Sequence, residues 1–158
     1  LKGHIAVALS TFNEKESGKT LDRHARKFLK KEKLNFDHGT GHGVGSFLNV
    51  HESPPSISPL SKYKFKKGMI VSNEPGYYEN GKFGIRIENL ITVKKERNSH
   101  KFENLTLVPI DKSLIKKELL NKSEIQWINN YHLKVYKTLK KYMSRDERVG
   151  FKNFCSNI

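Results

Sequence analysis

The 158-residue sequence contains a single cysteine, Cys155, which excludes a framework of internal disulfide bonds and fits a reducing compartment. No apolar run approaches the ~20 residues that a membrane-spanning helix needs, so no membrane span is expected. No charged segment followed by an apolar one opens the chain, and we therefore expect no signal peptide. Because the first residue is Leu1 rather than Met, we expect the chain to be part of a larger protein or a trimmed form of one.

Acidic residues are few compared with basic ones. The chain has 30 Lys and Arg against 16 Asp and Glu, a formal net charge of +14. Residues 112–158 hold 11 Lys and Arg against 4 Asp and Glu, and residues 1–111 hold 19 against 12, so each part carries about +7. The excess is mostly lysine scattered among Asn and Ile. We interpret it as a solvated surface rather than a nucleic-acid footprint.

Apolar residues at three- and four-residue steps predict three helical segments. Residues 1–12 read as the end of one helix. A second helix begins after Thr20, its expected N-cap, and stops near Leu34. A third spans Ser123 to Tyr142 with Ser123 as its N-cap. From Arg145 onward the pattern is weak, and we predict a frayed end.

Runs of β-branched and aromatic residues predict three strands, the middle one being the strongest: Met69–Asn73, Phe83–Val93 and Leu105–Ile110. The Asn80-Gly81 pair predicts a hairpin turn, and Gly76 predicts another turn. Three prolines between Ser53 and Pro59 predict a loop, because proline cannot donate to a strand ladder.

Three of the seven histidines, His38, His42 and His51, fall within fourteen residues of a glycine-rich stretch. Histidine binds metals and moves protons near neutral pH, so this clustering favours a functional site. The zinc-protease pattern His-Glu-x-x-His is missing, because His51-Glu52 is followed by Ser53-Pro54.

Two glutamates lie near the strands. Glu74 follows the first strand directly, which indicates either a ligand-binding position or an acidic cap on a turn. Alternate residues of a strand share one face, so Arg86 and Glu88 are expected on the same face of the Phe83–Val93 strand. That face could be a surface ion pair or a buried polar site.

Three motifs together resemble the Xaa-Pro aminopeptidases (aminopeptidase P): His-Gly-Thr-Gly-His-Gly-Val-Gly from His38, Asn-Glu-Pro-Gly-Tyr-Tyr from Asn73, and Gly-Ile-Arg-Ile-Glu-Asn from Gly84. The segments that begin at Leu1 and Trp127 are similar to the large cytosolic type. The resemblance implies a pita-bread metallopeptidase of the α+β class, with a curved antiparallel sheet and flanking helices. It places the C-terminal half of the catalytic domain at residues 1–111 and a C-terminal helical extension at residues 112–158.

The resemblance also implies a site with two divalent metal ions, usually Mn²⁺, held by two Asp, one His and two Glu. By motif match, His42 is the histidine ligand, Glu74 ligates the same ion, and Glu88 bridges both ions. The implied reaction is attack of a metal-bridging water that releases the N-terminal residue from peptides with proline second. A glutamate beside that water, as Glu74 would be, can take its proton.

His38 and His51 resemble histidines that bind substrate and stabilise the tetrahedral intermediate. Arg86 resembles an arginine that orients an aspartate ligand. The subgroup further implies a cytoplasmic location and a homodimer in the full-length protein.

The chain departs from the family pattern because both aspartate ligands of the family precede the segment that begins at Leu1. We therefore expect Arg86 to carry an unpaired charge, and the isolated chain to catalyse little without an upstream half supplied in cis or in trans. An inactive split-gene or decayed product and a non-catalytic peptide- or protein-binding module remain as alternatives.

Overall fold

The computed structural model describes residues 1–47 and 49–158, which divide into two units, residues 1–106 and residues 107–158. Helices and antiparallel strand pairs make up the first unit, as predicted for the α+β class, and the described elements of the second unit are helical. No helix among the described residues is long and apolar enough to cross a membrane.

The elements are numbered in chain order. The helices are α1 (Lys2–Ala8), α2 (Gly18–Lys31), α3 (Lys122–Leu139) and α4 (Arg145–Phe154). The strands are β1 (Thr11–Phe12), β2 (Gly41–His42), β3 (Ser56–Ile57), β4 (Ile70–Asn73), β5 (Gly76–Glu79), β6 (Phe83–Arg86), β7 (Asn89–Glu96) and β8 (Ser99–Asn104). Short 3-10 turns occupy Lys117–Leu119 and Lys140–Tyr142.

A four-stranded antiparallel sheet in the order β1-β8-β7-β4 forms the framework of the first unit. Its buried side chains include Val71, Ile91 and Phe102. They share one apolar cluster with Leu21 and Ala25, which lie four residues apart and therefore on one face of α2. Burial of this helix face explains why α2 forms where the apolar spacing predicted a helix.

The prediction of one continuous strand from Phe83 to Val93 is wrong, because the strand is interrupted between Arg86 and Asn89. The candidate site lies at this interruption. Residues up to Arg86 pair with β5, with Arg86 opposite Gly76. Residues from Asn89 onward pair instead with β4, with Asn89 opposite Asn73. The change of partner occurs at Pro75, which has no N–H to donate to a ladder. Two ladders therefore meet at a break, with residues 74–75 on one side and residues 87–88 on the other.

Other strand predictions need smaller corrections. The prediction of a strand at Leu105–Ile110 is wrong, because β8 ends at Asn104 and residues 105–110 have no ladder partner. Gly76 begins β5 rather than forming a turn, and the expected loop contains the two-residue strand β3, which pairs with β2. The Asn80-Gly81 hairpin and the strand ending at Asn73 are confirmed.

The helix boundaries also differ from the predictions. The first helix ends at Ala8, and α2 begins at Gly18 with Ser17 as its N-cap. Helix α3 is capped by Asn121 rather than Ser123, because the Asn121 side chain accepts a hydrogen bond from the Glu124 N–H. The frayed end predicted from Arg145 is instead the helix α4, which a Ser144 capping box begins.

Candidate metal centre

Glu74 and Glu88 face each other across the break between the two ladders. Glu74 directly follows β4 and is 7% exposed, whereas Glu88 directly precedes β7 and is exposed. The Glu74 N–H donates to the carbonyl of Thr40 at 2.8 Å, which fixes the backbone of the first glutamate. Glu88 therefore lies outside both strands, while Arg86 and Glu88 both approach Glu74.

His42 is brought to these glutamates by the close approach of β2 to β4. A Cβ on Gly41 would lie 1.9 Å from the Ser72 carbonyl oxygen, so only glycine fits there. The His42 N–H donates to the Ser72 hydroxyl at 2.9 Å, and this hydroxyl donates to Glu74 Oε1 at 2.7 Å. Ligand atoms of His42, Glu74 and Glu88 all lie within 4.8 Å of one another.

The imidazole of His42 presents the right nitrogen for a metal. Its Nδ1 lies 2.9 Å from the Gly43 carbonyl, which can only accept, so Nδ1 carries the proton. The lone pair of Nε2 then faces Glu74 Oε1 at 3.2 Å. Two electron-pair donors at this distance suit a shared cation, and one imidazole with two carboxylates fits a divalent ion such as Mn²⁺. No aspartate joins the three residues within the described part of the chain.

A series of hydrogen bonds also links His38 to Glu74, by way of Tyr78 and Arg86. Arg86 Nε donates to the Tyr78 hydroxyl at 2.7 Å, and Arg86 Nη1 lies 3.3 Å from Glu74 Oε2. The Tyr78 hydroxyl lies 2.8 Å from His38 Nε2, and His38 Nδ1 lies 2.7 Å from the Gly39 carbonyl. The hydroxyl therefore donates to His38 while it accepts from Arg86.

Arg86 is paired in this structure, so the expectation of an unpaired charge is wrong. Its hydrogen bond to Tyr78 raises the pKa of the guanidinium, and the charges of Tyr78, Glu74 and Glu88 add to that effect. The burial of Arg86 works in the opposite direction. The arginine thus neutralises part of the negative charge of the glutamate pair without any aspartate.

His51 stacks on His42. Their ring centroids are 4.1 Å apart, and the rings are tilted by 41°. The connecting loop is closed by a hydrogen bond from the Glu52 N–H to the Gly43 carbonyl at 3.0 Å. His51 itself is exposed and lies at the rim of the cluster.

Asp22 and Arg26 support the histidine segment, and sequence reasoning gave them no role. Arg26 donates to Asp22, to the Phe36 carbonyl at 2.6 Å and to the His38 carbonyl at 2.6 Å. Thr40 donates its hydroxyl to Asp22 at 2.7 Å. An Asp and an Arg four residues apart, on the same helix face as Leu21 and Ala25, were a detectable signal for a buried pair. Tyr78 was detectable as a partner of Arg86, because it lies opposite Gly84 in the β5–β6 hairpin and Gly84 is two residues from Arg86.

Family models match nearly the whole chain. Residues 1–95 match metallopeptidase family M24, and residues 98–154 match the C-terminal region of peptidase M24. A probable Xaa-Pro aminopeptidase P of Sclerotinia sclerotiorum is 46% identical over 93% of this chain and 26% of the relative. Its counterpart in Tuber melanosporum is 47% identical over 92% of this chain and 25% of the relative. The chain thus spans about a quarter of the length of these relatives.

Solved structures give the same result. The crystal structure of the X-prolyl aminopeptidase of Caenorhabditis elegans, described as a cytosolic enzyme with a di-nuclear active site, superposes with a TM-score of 0.92. The match has 40% identity and covers 99% of this chain and 27% of that one. An X-Pro aminopeptidase of Thermotoga maritima gives a TM-score of 0.59 at 34% identity, over 68% of this chain and 28% of that one. The chain therefore has the pita-bread fold, resembles the C-terminal part of the Xaa-Pro aminopeptidases, and belongs to metallopeptidase family M24.

Proposed function

We propose that this chain supplies His42, Glu74 and Glu88 as ligands to the metal centre of an aminopeptidase that releases the N-terminal residue from peptides with proline second. The observation that carries the proposal is the convergence of one imidazole and two carboxylates within 4.8 Å at the break between two ladders. The names of the relatives support the peptide class.

The bound ions would supply Lewis-acid chemistry, which polarises the scissile carbonyl and lowers the pKa of water. The residues of the chain then have separate tasks. Glu74 accepts the proton of the attacking water, while Ser72 and Arg86 orient its two oxygens. His51 is exposed beside His42 and contacts the peptide, and Tyr78 holds the ring of His38 in a fixed orientation for the same purpose.

We further propose Mn²⁺ as the metal, with two ions in the complete site. Oxygen-rich ligation with one imidazole suits this ion, and the Caenorhabditis elegans relative is described as having a di-nuclear active site. The remaining ligands would be two aspartates from an upstream half, in cis or in trans. A complete site therefore requires that half, and the isolated chain should catalyse little.

The remaining expectations are also proposals. Residues 1–111 would form the C-terminal half of the catalytic domain, and residues 112–158 a helical extension that accompanies homodimer formation. A cytoplasmic location is proposed because the Caenorhabditis elegans relative is described as a cytosolic enzyme.

The test is Mn²⁺-dependent release of the first residue from an Xaa-Pro-Pro peptide. The purified chain is assayed alone and after addition of the matching upstream half of the Sclerotinia sclerotiorum relative. We expect activity only in the combined sample, and its loss in the variants His42→Ala, Glu74→Gln and Glu88→Gln. His24→Ala and Glu103→Gln serve as controls outside the cluster. If the His42→Ala variant were as active as the wild type in the combined sample, the proposed ligand set would be excluded.

A further inference from the structure

A fully buried histidine lies outside the metal cluster. His4 is in α1 and is 0% exposed. A Cβ on its neighbour Gly3 would lie 2.2 Å from the Ala25 carbonyl oxygen, so α1 packs closely on α2. Burial of a polar ring is costly unless its nitrogens are hydrogen-bonded, and the partners of His4 therefore indicate why it is there.

The partners of His4 lie on both sides of the break between the ladders. Nδ1 of His4 donates to the Asn73 carbonyl at 3.1 Å, and the Asn73 side chain donates to the His4 carbonyl at 2.9 Å. The backbone of Ile87 also lies within hydrogen-bonding reach of the ring, although a neutral ring that donates from Nδ1 has no second N–H for it. The Asn89 amide lies 3.4 Å from Nε2 and donates to Asn104 at 3.1 Å.

The residues that His4 contacts are sequence neighbours of the two glutamates. Asn73 precedes Glu74, and Ile87 precedes Glu88. Across the break, the backbone hydrogen bond from the Ile87 N–H to the Pro75 carbonyl is long, at 3.4 Å. One rigid ring that contacts Asn73 on one segment and Asn89 on the other therefore adds a constraint on their separation beside the gap in the ladders.

We propose that His4 is a positioning residue that sets the spacing of Glu74 and Glu88, and with it the metal affinity of the site. The inference rests on the proposed function, because that proposal makes the two glutamates ligands. His4 touches neither carboxylate in the contacts described, and it acts through the backbone of Asn73 and Ile87. Groups that hydrogen-bond directly to metal ligands change metal affinity about 10- to 100-fold when they are removed, and for His4, which acts through the backbone, we expect the lower end of that range.

The experiment measures Mn²⁺ affinity of the whole chain by electron paramagnetic resonance, which counts free Mn²⁺. Two variants separate positioning from stability. His4→Leu removes both ring nitrogens, whereas His4→Asn keeps an amide donor where Nδ1 reaches the Asn73 carbonyl. Val7→Ala is the matched control, because it weakens the core beside the same helix without touching the break. All samples are compared at a temperature at which circular dichroism shows them folded.

We expect His4→Leu to weaken Mn²⁺ binding about 10-fold, and His4→Asn, which keeps the contact with Asn73 but not the contacts on the other side of the ring, to recover only part of the loss. Val7→Ala should bind like the wild type. Affinity of His4→Leu within about two-fold of the wild type, or an equal loss in Val7→Ala, overturns the inference alone. If His42→Ala binds Mn²⁺ as well as the wild type does, the ligand assignment of the proposed function fails, and this inference falls with it.

Discussion

At the residue scale, His4 ties the stability of the first unit to pH. Burial, and after it the positive charge of the N-terminus, lower the pKa of His4 from 6.5 to about 4, although hydrogen bonds to the backbone of Asn73 and Ile87 oppose the shift. Below pH 6.5 the unfolded chain takes up a proton that the folded chain refuses. The contribution of neutral His4 to the free energy of unfolding is therefore fully present above pH 6.5. It falls by on the order of 3 kcal/mol as the pH drops toward 4.

The prediction compares the wild type with His4→Asn, which cannot titrate. Between pH 7 and pH 4 the free energy of unfolding of the wild type should fall by on the order of 3 kcal/mol more than that of the variant. Urea denaturation at several pH values measures both. His24→Asn is the control, since the pKa of the less buried His24 is also lowered and its removal should matter less. Parallel pH curves for wild type and His4→Asn would contradict the prediction.

Tyr78→Phe should release His38 from a single tautomer. The wild-type hydroxyl donates to His38 Nε2 while Nδ1 donates to the Gly39 carbonyl, so the Nδ1-protonated ring is expected. Nitrogen-15 shifts of the imidazole distinguish the two tautomers. Tyr77→Phe is the matched control, because it removes the neighbouring hydroxyl, which bonds Glu79 instead. A mixture of tautomers should appear in Tyr78→Phe and not in Tyr77→Phe; identical spectra would refute the hydrogen-bond chain.

The residues of the cluster differ in how readily sequence reveals them. His42, Glu74 and Glu88 stand in motifs whose resemblance to a family suggested them together, and the structure places them within 4.8 Å. Tyr78 escaped notice because tyrosine is common in strands, and its partner His38 is 40 residues away in sequence. Its role depends on a long-range contact that no local pattern contains.

At the scale of the element, α2 carries a buried ion pair that anchors the histidine segment. Asp22 and Arg26 each have side chains 3% exposed, and their nitrogen–oxygen distance is 2.9 Å. Removal of one partner leaves the other charge buried and uncompensated. Asp22→Asn should therefore destabilise the chain by about 3–5 kcal/mol. Arg23→Ala, an exposed site on the same helix, should change stability by less than about 1 kcal/mol.

Chemical denaturation measures both variants. The double variant Asp22→Leu with Arg26→Met should be more stable than Asp22→Asn, because it leaves no unpaired charge. A double variant whose loss of stability equals the sum of the losses in Asp22→Leu and Arg26→Met measured singly would show that the pair does not act as a unit.

Elements were predictable where their own residues determine them. The apolar spacing of α2 and the Asn80-Gly81 turn carry their information locally, and both elements are present. The Phe83–Val93 strand looked continuous because its interruption is caused by Pro75 on the partner strand. The predicted strand at Leu105–Ile110 failed for a related reason: β propensity does not supply a ladder partner, and β7 is already paired with β8 up to Asn104.

At the scale of the whole molecule, metal binding should raise thermal stability by mass action. An ion that binds only the folded state at 100 times its Kd stabilises it by about 2.7 kcal/mol. Calorimetry with and without Mn²⁺ should therefore show a higher Tm with the ion, reversed by EDTA. The shift should vanish in His42→Ala and persist in His24→Ala. An equal shift in both variants would place the ion elsewhere on the chain.

The break between the two ladders separates the two glutamates, whose spacing must be kept, from the hairpin tip, whose length can change. Glu74 and Glu88 lie at the base of the β5–β6 hairpin, and its turn at the other end has open space around Gly81, at φ +70°. The hairpin can therefore be lengthened at its tip while the spacing of the carboxylates is kept. That tip is a suitable place to insert a fluorescent reporter, which would make occupancy of the centre visible optically.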